Sequence, residues 1–266
     1  MSQNNTVLGL VGSPNPEGRT NQLVSAALEG AAQAGAGVEL IQLKDQVVEP
    51  CRDCLPWVCK DNLECSFPDQ AFAFLSEKLL NCGALVFGTP VYWWDVSGLV
   101  KYLILKMFRV YARRGPLNGL PALGIAIAGG TGNGLVSGLR PLYHFLQMMQ
   151  MRALPPLPAT RFNFQEALDK AAEQGGQLAG LADRRRPFAN LEERLLWYDD
   201  LPYLGLNRAQ ERELLASLTC RALPEDLSPA QGLARAQAWK AAGRRLESLQ
   251  EIGQIYQAGV ELFEKG

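Results

Sequence analysis

Histidine is nearly absent from this chain, and its scarcity limits the catalytic chemistry that the chain can carry. The 266 residues contain one histidine, His144, in an apolar stretch at residues 142–146 whose pattern is typical of a helix. Hydrolases that activate a nucleophilic side chain commonly place a histidine base beside it. The composition therefore disfavours a hydrolase built on a nucleophile–base pair, and we interpret His144 as an ordinary helix residue.

A surplus of either charge and a long apolar run are also lacking. The chain has 26 lysines and arginines against 27 acidic residues, a formal net charge of -1. Nucleic-acid-binding proteins usually carry a strong basic surplus, so we expect no nucleic acid partner. No apolar run approaches the roughly 20 residues that cross a bilayer. The polar start at residues 1–5 does not resemble a signal peptide. We expect no membrane partner and a cytoplasmic location.

Strand and helix patterns alternate along the first two thirds of the chain. Apolar or alternating runs predict five strands, although three prolines weaken the last one. These strands are predicted at residues 6–12, 38–43, 83–88, 121–128 and 152–159. Such alternation predicts an α/β fold, an open parallel sheet with helices on both faces. Later residues show only helical patterns. We therefore expect a sheet domain at 1–185 and a helical C-terminal extension at 186–266.

The segment after the first predicted strand, residues 12–23, combines two glycines with short polar side chains and runs into a helix. Five residues separate Gly12 from Gly18, and Arg19 follows, so the Gly-x4-Gly-Lys-Ser/Thr pattern of nucleotide-triphosphate loops is not met. Free N–H groups and the positive dipole end of a helix favour an anion. One phosphate monoester suits this loop. The alternative is a tight turn with Thr20 as a helix cap.

Two further loops follow the third and fourth predicted strands. The first, residues 89–95, contains three consecutive aromatic residues at positions 92–94, which could stack on a flat heterocycle or pack in a core or subunit contact. The second, residues 129–134, is rich in glycine, which would let a flat ring lie against the backbone or serve as a flexible connection. Ligands of open parallel sheets bind where such loops converge.

These loops together resemble those of the flavodoxin-like superfamily, and more closely its NAD(P)H-dependent FMN reductase and iron-sulfur flavoprotein branch. The resemblance rests on the Gly-Ser-Pro-x-x-x-Gly-Arg-Thr-Asn loop at 12–21 and on the Pro-Val-Tyr segment at 90–92, and it covers about residues 6–183. It implies a five-stranded parallel sheet of order 2-1-3-4-5 with bound FMN. It also implies a homodimer or homotetramer, because relatives in this family often associate around the flavin.

The resemblance also assigns residues to the cofactor. The phosphate would lie at residues 12–23 (loop one), and the ribityl chain and ring beside residues 89–95 (the aromatic loop). Residues 129–134 (the glycine loop) would close the other side. In that order the residues are Ser13, Asn15, Gly18, Arg19, Thr20, Asn21, Pro90, Val91, Tyr92, Trp93, Gly129 and Gly130. Arg-Thr-Asn replaces the commoner Gly-Asn-Thr order, which could shift individual contacts by one position. The bulky Trp93–Trp94 pair could narrow the substrate side.

Four of the six cysteines are closely spaced between the second strand and the next helix. Their pattern is Cys51-x2-Cys54-x4-Cys59-x5-Cys65. Iron-sulfur flavoproteins usually carry a Cys-x2-Cys-x2-Cys pattern at this place, followed by a longer gap to the fourth cysteine. Here Pro56 and Trp57 resemble a two-residue insertion before the third cysteine. Four thiolates suit a [4Fe–4S] cluster or structural zinc, and reduced free thiols are the third alternative. Cys82 and Cys220 stand alone and are interpreted as small buried residues.

Three functions remain open from the sequence. The resemblance implies an enzyme in which NAD(P)H reduces FMN and electrons pass to a small acceptor such as a quinone or a free flavin. The second hypothesis is an electron-transfer protein that uses FMN and a four-cysteine cluster between protein partners. The third is a binding module in which the flavin is structural or sensory. Because the cofactor carries the chemistry, no catalytic proton-transferring side chain is assigned.

Overall fold

The computed structural model describes residues 5–265, which form a parallel sheet with helices on both faces. Seven strands lie within those residues: β1 (Thr6–Val11), β2 (Gly37–Gln42), β3 (Ala84–Tyr92), β4 (Asp95–Val96), β5 (Pro121–Ala128), β6 (Arg152–Ala153) and β7 (Leu157–Thr160). The first six helices are α1 (Arg19–Gln33), α2 (Cys59–Asn62), α3 (Gln70–Asn81), α4 (Gly98–Tyr111), α5 (Leu135–Met148) and α6 (Phe164–Ala179). Four more follow: α7 (Leu191–Asp199), α8 (Arg208–Cys220), α9 (Pro229–Ala241) and α10 (Arg245–Lys265).

The strand order confirms the predicted 2-1-3-4-5 arrangement. The parallel strands run β2-β1-β3-β5, and both β6 and β7 pair with the outer side of β5. The fifth position is thus one interrupted strand. Pro155 and Pro156 separate its two parts, and proline cannot donate a hydrogen bond to a sheet. The described residues therefore contain seven strands rather than the predicted five, because this strand is split and β4 adds a short hairpin.

Strand β3 extends beyond its predicted end, and this corrects the interpretation of residues 89–95 as a loop. β3 continues to Tyr92 and turns back into the antiparallel β4. Its pairing with β1 ends at Gly88, whereas its pairing with β5 continues to Pro90. Because Pro90 lies beyond the end of β1, its missing N–H interrupts no hydrogen bond to that strand. The aromatic residues therefore sit on a hairpin that projects from the sheet.

The core lies on both faces of the sheet. On one face α3, α4 and α5 cover the strands, and on the other α1 packs closely against α6. Two glycines permit that close approach: a Cβ on Gly30 would lie 1.9 Å from the Ala172 carbonyl oxygen, and one on Gly175 would lie 1.8 Å from the Ala27 carbonyl oxygen. Side chains at these two positions would force the helices apart.

The predicted helical extension is present, and it packs on the sheet domain. Helix α7 was not predicted, and the helical pattern at 229–263 proves to be two helices that are separated near Gly243, where φ is +76°. Leu215 and Leu218 of α8 join the same core cluster as α4 and α5. The boundary between 185 and 186 stays a prediction. Among residues 5–265, no helix is both long and apolar enough to cross a lipid bilayer.

A buried ion pair fixes the start of α3 to the middle of α4. Asp69 precedes α3, and its Oδ1 accepts a hydrogen bond from the Phe72 backbone N–H at 3.0 Å. Its Oδ2 accepts from the Glu49 backbone N–H at 3.0 Å and pairs with the Lys106 ammonium group. The Asp69 and Lys106 side chains are both almost fully buried. One carboxylate thus joins both ends of the cysteine-bearing segment to the sheet domain.

We expect Asp69→Asn to destabilise the fold strongly. Asparagine keeps the helix cap, but it leaves the buried Lys106 ammonium without a counter-charge, which costs about 3–5 kcal/mol in such pairs. Urea denaturation measures the change in the free energy of unfolding. Asp45→Asn is the matched control, because Asp45 pairs with Lys44 at the surface, and exposed pairs contribute only about 0–1 kcal/mol. Equal losses in the two variants would contradict this account.

The same comparison has a pH dependence. Burial alone would raise the pKa of the Asp69 carboxyl, but hydrogen bonds from Lys106 and from the N–H groups of Phe72 and Glu49 lower it below its ordinary value. A carboxyl with a lowered folded pKa stabilises the protein above its unfolded pKa, about 4, and loses this effect as the pH falls through the folded value. The difference between wild type and Asp69→Asn should therefore shrink in acid.

Candidate functional site

Three loops converge at the carboxyl edge of the sheet, and Ser97 connects two of them. Ser97 Oγ donates to the Gly12 carbonyl at 2.6 Å, and its backbone N–H donates to Thr89 Oγ1 at 3.1 Å. The same hydroxyl caps α4 by accepting from the Val100 N–H at 3.3 Å. The Gly12 N–H donates to the Gly88 carbonyl at 2.8 Å. The loop after β1 is thereby held against the hairpin after β3.

Loop one is a compact turn that leads into an uncapped helix. The buried Ser13 hydroxyl accepts from the Asn15 N–H at 3.1 Å, and Asn15 Oδ1 accepts from the Glu17 N–H at 3.0 Å. Helix α1 follows Gly18, and no side chain caps its first turn within the described residues. Thr20 is buried in that turn. Free N–H groups at a helix start attract an anion, so the backbone at this helix start can bind one.

Two other predicted phosphate ligands of loop one use their side chains elsewhere. The Arg19 guanidinium lies 5.5 Å from the ring centroid of Phe164 and 5.1 Å from that of Phe263 in α10. Asn21 Oδ1 accepts a hydrogen bond from Gln42 Nε2 at 2.7 Å. Their assignment to a cofactor stays a prediction. No local pattern indicates the contact between Arg19 and Phe263, because 244 positions separate the two residues.

The hairpin between β3 and β4 carries two tryptophans in an unusual backbone conformation. Trp93 and Trp94 have φ values of 51° and 59°, and Tyr92 pairs with Asp95 across the turn. Two-residue hairpins with positive φ at both central positions favour Asn-Gly, and bulky residues there are strained. Trp93 is 89% exposed, and its ring centroid lies 5.6 Å from that of Trp94. This strained turn places two indole rings beside loop one and the glycine loop.

The glycine loop leaves open space at one end and contacts other elements at the other. A Cβ on Gly129 or Gly130 would meet no heavy atom of the described residues within 4 Å. A Cβ on Gly132 would lie 2.9 Å from Leu215 of α8, and one on Gly134 would lie 2.9 Å from Trp94 Cδ1. A flat ring could therefore lie against Gly129 and Gly130, next to the hairpin.

The four closely spaced cysteines line one pocket. They are Cys51, Cys54, Cys59 and Cys65, all half-buried free thiols. Lys106 and Arg109 of α4 line the same pocket, and each is already paired with an aspartate, Asp69 and Asp53 respectively. Within residues 5–265, no group of three or more His, Cys, Asp or Glu side chains is arranged closely enough to hold a metal ion. The donor set fits a cluster, and the four sulfurs would have to converge to bind one.

Arg109 anchors the cysteine segment to α4. Its guanidinium pairs with Asp53 at 2.8 Å and lies 4.4 Å from the Trp57 ring centroid. Its backbone carbonyl accepts from Trp57 Nε1 at 2.7 Å and from Cys59 Sγ at 3.5 Å. The residues that resemble an insertion before the third cysteine thus supply a contact that fixes the segment in place.

The structure confirms the interpretation of Cys82 and His144, whereas Cys220 is less buried than predicted. Cys82 is buried, and burial raises the pKa of its thiol to about 12, as expected of a packing residue. Cys220 is half-buried, and burial also raises its thiol pKa. His144 lies on the exposed side of α5. None of the three lines the pocket formed by the other cysteines.

Comparison with known proteins decides the family. The family model described as NADPH-dependent FMN reductase matches residues 5–158, more than half of the chain. The chain belongs to this family. Membership supports FMN as the cofactor and NAD(P)H as the co-substrate. The family region contains all three converging loops and the cysteine segment, whereas α7 to α10 lie outside it.

Individual relatives agree with this assignment. An iron-sulfur flavoprotein of Methanocaldococcus jannaschii is 34% identical over 127 residues, which cover 47% of this chain and 64% of that protein. This chain therefore matches less than two thirds of that relative's length. A solved flavone reductase shares the fold with a TM-score of 0.55 and 16% identity over 71% of this chain and 69% of its own. An NAD(P)H:quinone oxidoreductase from Methanothermobacter marburgensis has a TM-score of 0.51 and 18% identity. The match covers 65% of this chain and 95% of that protein.

Sequence reasoning missed residues that shape the site from a distance. Ser97 could have been found, because a serine before the helical pattern at 98–113 is a cap signal. The role of Glu211 in α8 could not have been found from the sequence. Its buried carboxylate accepts from the Val136 N–H at 2.9 Å, at the first turn of α5. No local pattern indicates that the extension would cover the start of α5.

We expect Trp93→Asn to stabilise the protein without FMN, by about 0.5–1 kcal/mol, because asparagine tolerates positive φ better than tryptophan. Trp93 is highly exposed, so little packing is lost. Chemical denaturation of the FMN-free protein measures the effect. Trp93→Phe is the control, since phenylalanine retains the strain. A loss of stability in Trp93→Asn comparable with that in Trp93→Phe would show that the indole, and not the backbone, dominates at this position.

Proposed function

We propose that this protein is an FMN-dependent NAD(P)H oxidoreductase that passes electrons to a small acceptor such as a quinone or a free flavin. The observation that carries the proposal is the uncapped start of α1, with the Ser13 and Thr20 hydroxyls buried beside it. The open space at Gly129 and Gly130 lies at the same edge of the sheet. An anion site next to room for a flat ring supports FMN as the ligand.

The phosphate assignment follows from the free donors of loop one. The Ser13 hydroxyl already accepts one hydrogen bond, and its proton can be donated to a phosphate oxygen. Backbone N–H groups at Arg19, Thr20 and Asn21, together with the helix dipole, would add to the attraction. Since the Arg19 guanidinium packs on two aromatic rings, we assign its contribution to the main chain.

The hairpin and the glycine loop would hold the rest of the cofactor. Pro90 and Val91 lie near the end of β3, while the side chains of Tyr92 and Trp93 are exposed and free to flank a ring. Bound FMN would supply the electron-transfer chemistry, and the protein would contribute binding, orientation and electrostatics. Its homodimeric or homotetrameric state and its cytoplasmic location stay predictions.

The phosphate assignment predicts a preference for FMN over riboflavin, which lacks the phosphate. Ser13→Ala and Thr20→Val should each weaken FMN binding by about 10- to 100-fold, as expected for hydrogen bonds to a charged group. Riboflavin binding should change little. Flavin fluorescence titration of the FMN-free protein measures both. Ser76→Ala is the matched control, because Ser76 is equally buried but bonds to Met107 in the core.

Either of two results would contradict this proposal. An equal loss for FMN and riboflavin would show that loop one does not bind the phosphate. The redox role is tested under argon with FMN bound: NADPH or NADH should bleach the flavin absorbance, and added 2-methyl-1,4-naphthoquinone should restore it. Flavin that neither nucleotide reduces would exclude the oxidoreductase activity proposed here.

The pocket of four cysteines favours a second candidate, in which the protein also carries a [4Fe–4S] cluster and relays electrons between protein partners. Four thiols in one pocket provide the usual ligand number for such a cluster. The M. jannaschii relative is named an iron-sulfur flavoprotein. Helix α4 begins at Gly98, beside loop one and the aromatic loop, which we call the proposed flavin loops. It reaches the cysteine pocket at Lys106 and Arg109. At 1.5 Å per residue, these places are about 12–17 Å apart along the helix.

The cluster proposal predicts about four iron atoms per chain in protein purified without oxygen. Replacing Cys51, Cys54, Cys59 or Cys65 with serine should remove most of the iron, and Cys220→Ser, outside the pocket, should retain it. Metal analysis and the visible spectrum provide the measurement. Zinc in place of iron, or no metal in protein purified under argon and reconstituted with iron and sulfide, would contradict the cluster.

A further inference from the structure

An open pocket lies between the glycine loop and α8, next to the proposed flavin site. We call it the α8 pocket. Its volume is about 480 Å³, within the range of small-molecule sites. It is lined by Trp94, Asn133, Gly134, Ser137, Arg208, Glu211 and Arg212. Three of these residues belong to α8, outside the region that the family model matches.

Two arginines give this pocket uncompensated positive charge. Arg208 and Arg212 are four positions apart on α8 and therefore share one face of the helix. Within residues 5–265, neither arginine forms a salt bridge with an acidic side chain. The buried Arg212 Nε also has no hydrogen-bond partner. Arg208 is also the first residue of α8, where the helix dipole disfavours a cation. A bound anion would offset both costs.

The one acidic side chain that lines the α8 pocket, Glu211, already accepts a hydrogen bond from another helix. Glu211 is buried, and its Oε1 accepts from the Val136 N–H at 2.9 Å at the start of α5. The positive end of that helix thereby stabilises the Glu211 carboxylate. The residues that line the pocket thus include two guanidinium groups and one carboxylate, and this carboxylate is hydrogen-bonded to α5. The lining therefore has a net positive charge that a ligand can meet.

Trp94 supplies the apolar wall. Its backbone is held at a φ of 59°, and its indole lies against Gly134, where an added Cβ would be 2.9 Å from Trp94 Cδ1. Strain of this kind persists where the surroundings enforce it and often marks a binding site. The indole stands on the same hairpin as Tyr92 and Trp93, the residues proposed to flank the flavin. An aromatic wall beside two arginines suits a planar molecule with an anionic group.

We propose that the α8 pocket binds the phosphate, carboxylate or sulfonate group of the molecule whose planar ring exchanges electrons with the flavin. This inference rests on the proposed function and adds its substrate class. Two sources share this chemistry: the phosphate of NADPH and an anionic acceptor. In either case the helical extension selects the substrate, while the sheet domain holds the cofactor.

The test compares binding of anionic and neutral probes by calorimetry on the FMN-loaded protein. The probes are NADP⁺, 1,4-naphthoquinone-2-sulfonate and neutral 2-methyl-1,4-naphthoquinone. Arg208→Gln/Arg212→Gln should weaken at least one anionic probe by about 10- to 100-fold, the effect of losing charge-assisted hydrogen bonds. The neutral quinone should change by less than about twofold, because it offers no charge to the arginines.

The control removes two positive charges elsewhere. Arg221→Gln/Arg235→Gln deletes side chains that pair with Glu166 and Glu251 and do not line the α8 pocket. It should leave all three affinities nearly unchanged, because exposed charges at a distance are screened by salt. An equal loss of anion binding in this control would overturn the inference, since net charge alone would then explain the effect.

The outcomes separate the two sources and the two proposals. Loss for NADP⁺ alone assigns the pocket to the nucleotide, loss for the sulfonate alone assigns it to the acceptor, and loss for both means that the two share it. Unchanged binding of both anions, no binding of either by wild type, or equal loss of the neutral quinone overturns the inference. Failure to bind FMN would instead overturn the proposed function, and anion binding to the FMN-free protein would still support the pocket.

Discussion

The hydrogen bond from the Ser97 hydroxyl to the Gly12 carbonyl is the interaction on which the geometry of the proposed flavin loops depends. It joins the turn after β1 to the hairpin after β3, across 85 positions of sequence, at a distance of 2.6 Å. Gly12 must be glycine for this contact, because a Cβ there would lie 2.2 Å from Val100 Cγ2. The relative position of the proposed phosphate and ring sites is therefore set by a buried backbone contact rather than by the exposed side chains that would touch the cofactor.

Much of the sheet could be predicted from local patterns, because a buried parallel strand needs a continuous apolar run whatever surrounds it. The strand order came from the family resemblance. The hairpin could not be predicted: Asn and Gly are the usual signals for positive φ, whereas Trp93 and Trp94 adopt it under tertiary constraint. Arg19 was assigned by motif to a phosphate, yet its guanidinium contacts Phe263 of α10. Such contacts depend on where a distant helix packs, and the local hydrophobic periodicity of the sequence does not predict that position.

Helix α4 connects the two proposed redox sites by a single rigid element. Ser97 fixes the first turn of α4 to the proposed flavin loops, and Lys106 and Arg109 fix the second half of α4 to the cysteine segment. Asp69 holds both Lys106 and the backbone at Glu49, close to the first cysteine of the segment. A shift of the cysteine segment would therefore strain the same helix that positions the proposed flavin loops. This coupling is mechanical, and it exists whether or not the cysteines bind a cluster.

The C-terminal extension reaches the site at three separate places. Glu211 bonds to the first turn of α5, Leu215 packs on Gly132, and Phe263 contacts Arg19 beside loop one. An appended segment that served only to stabilise the sheet could pack anywhere on its surface. Contact with the glycine loop and loop one at the carboxyl edge instead places its side chains where substrates of open parallel sheets approach. Because the loops proposed to hold the cofactor all lie in the family region, the extension would be free to determine which molecules reach it. Arg208 and Arg212 are the residues through which charge would make that selection.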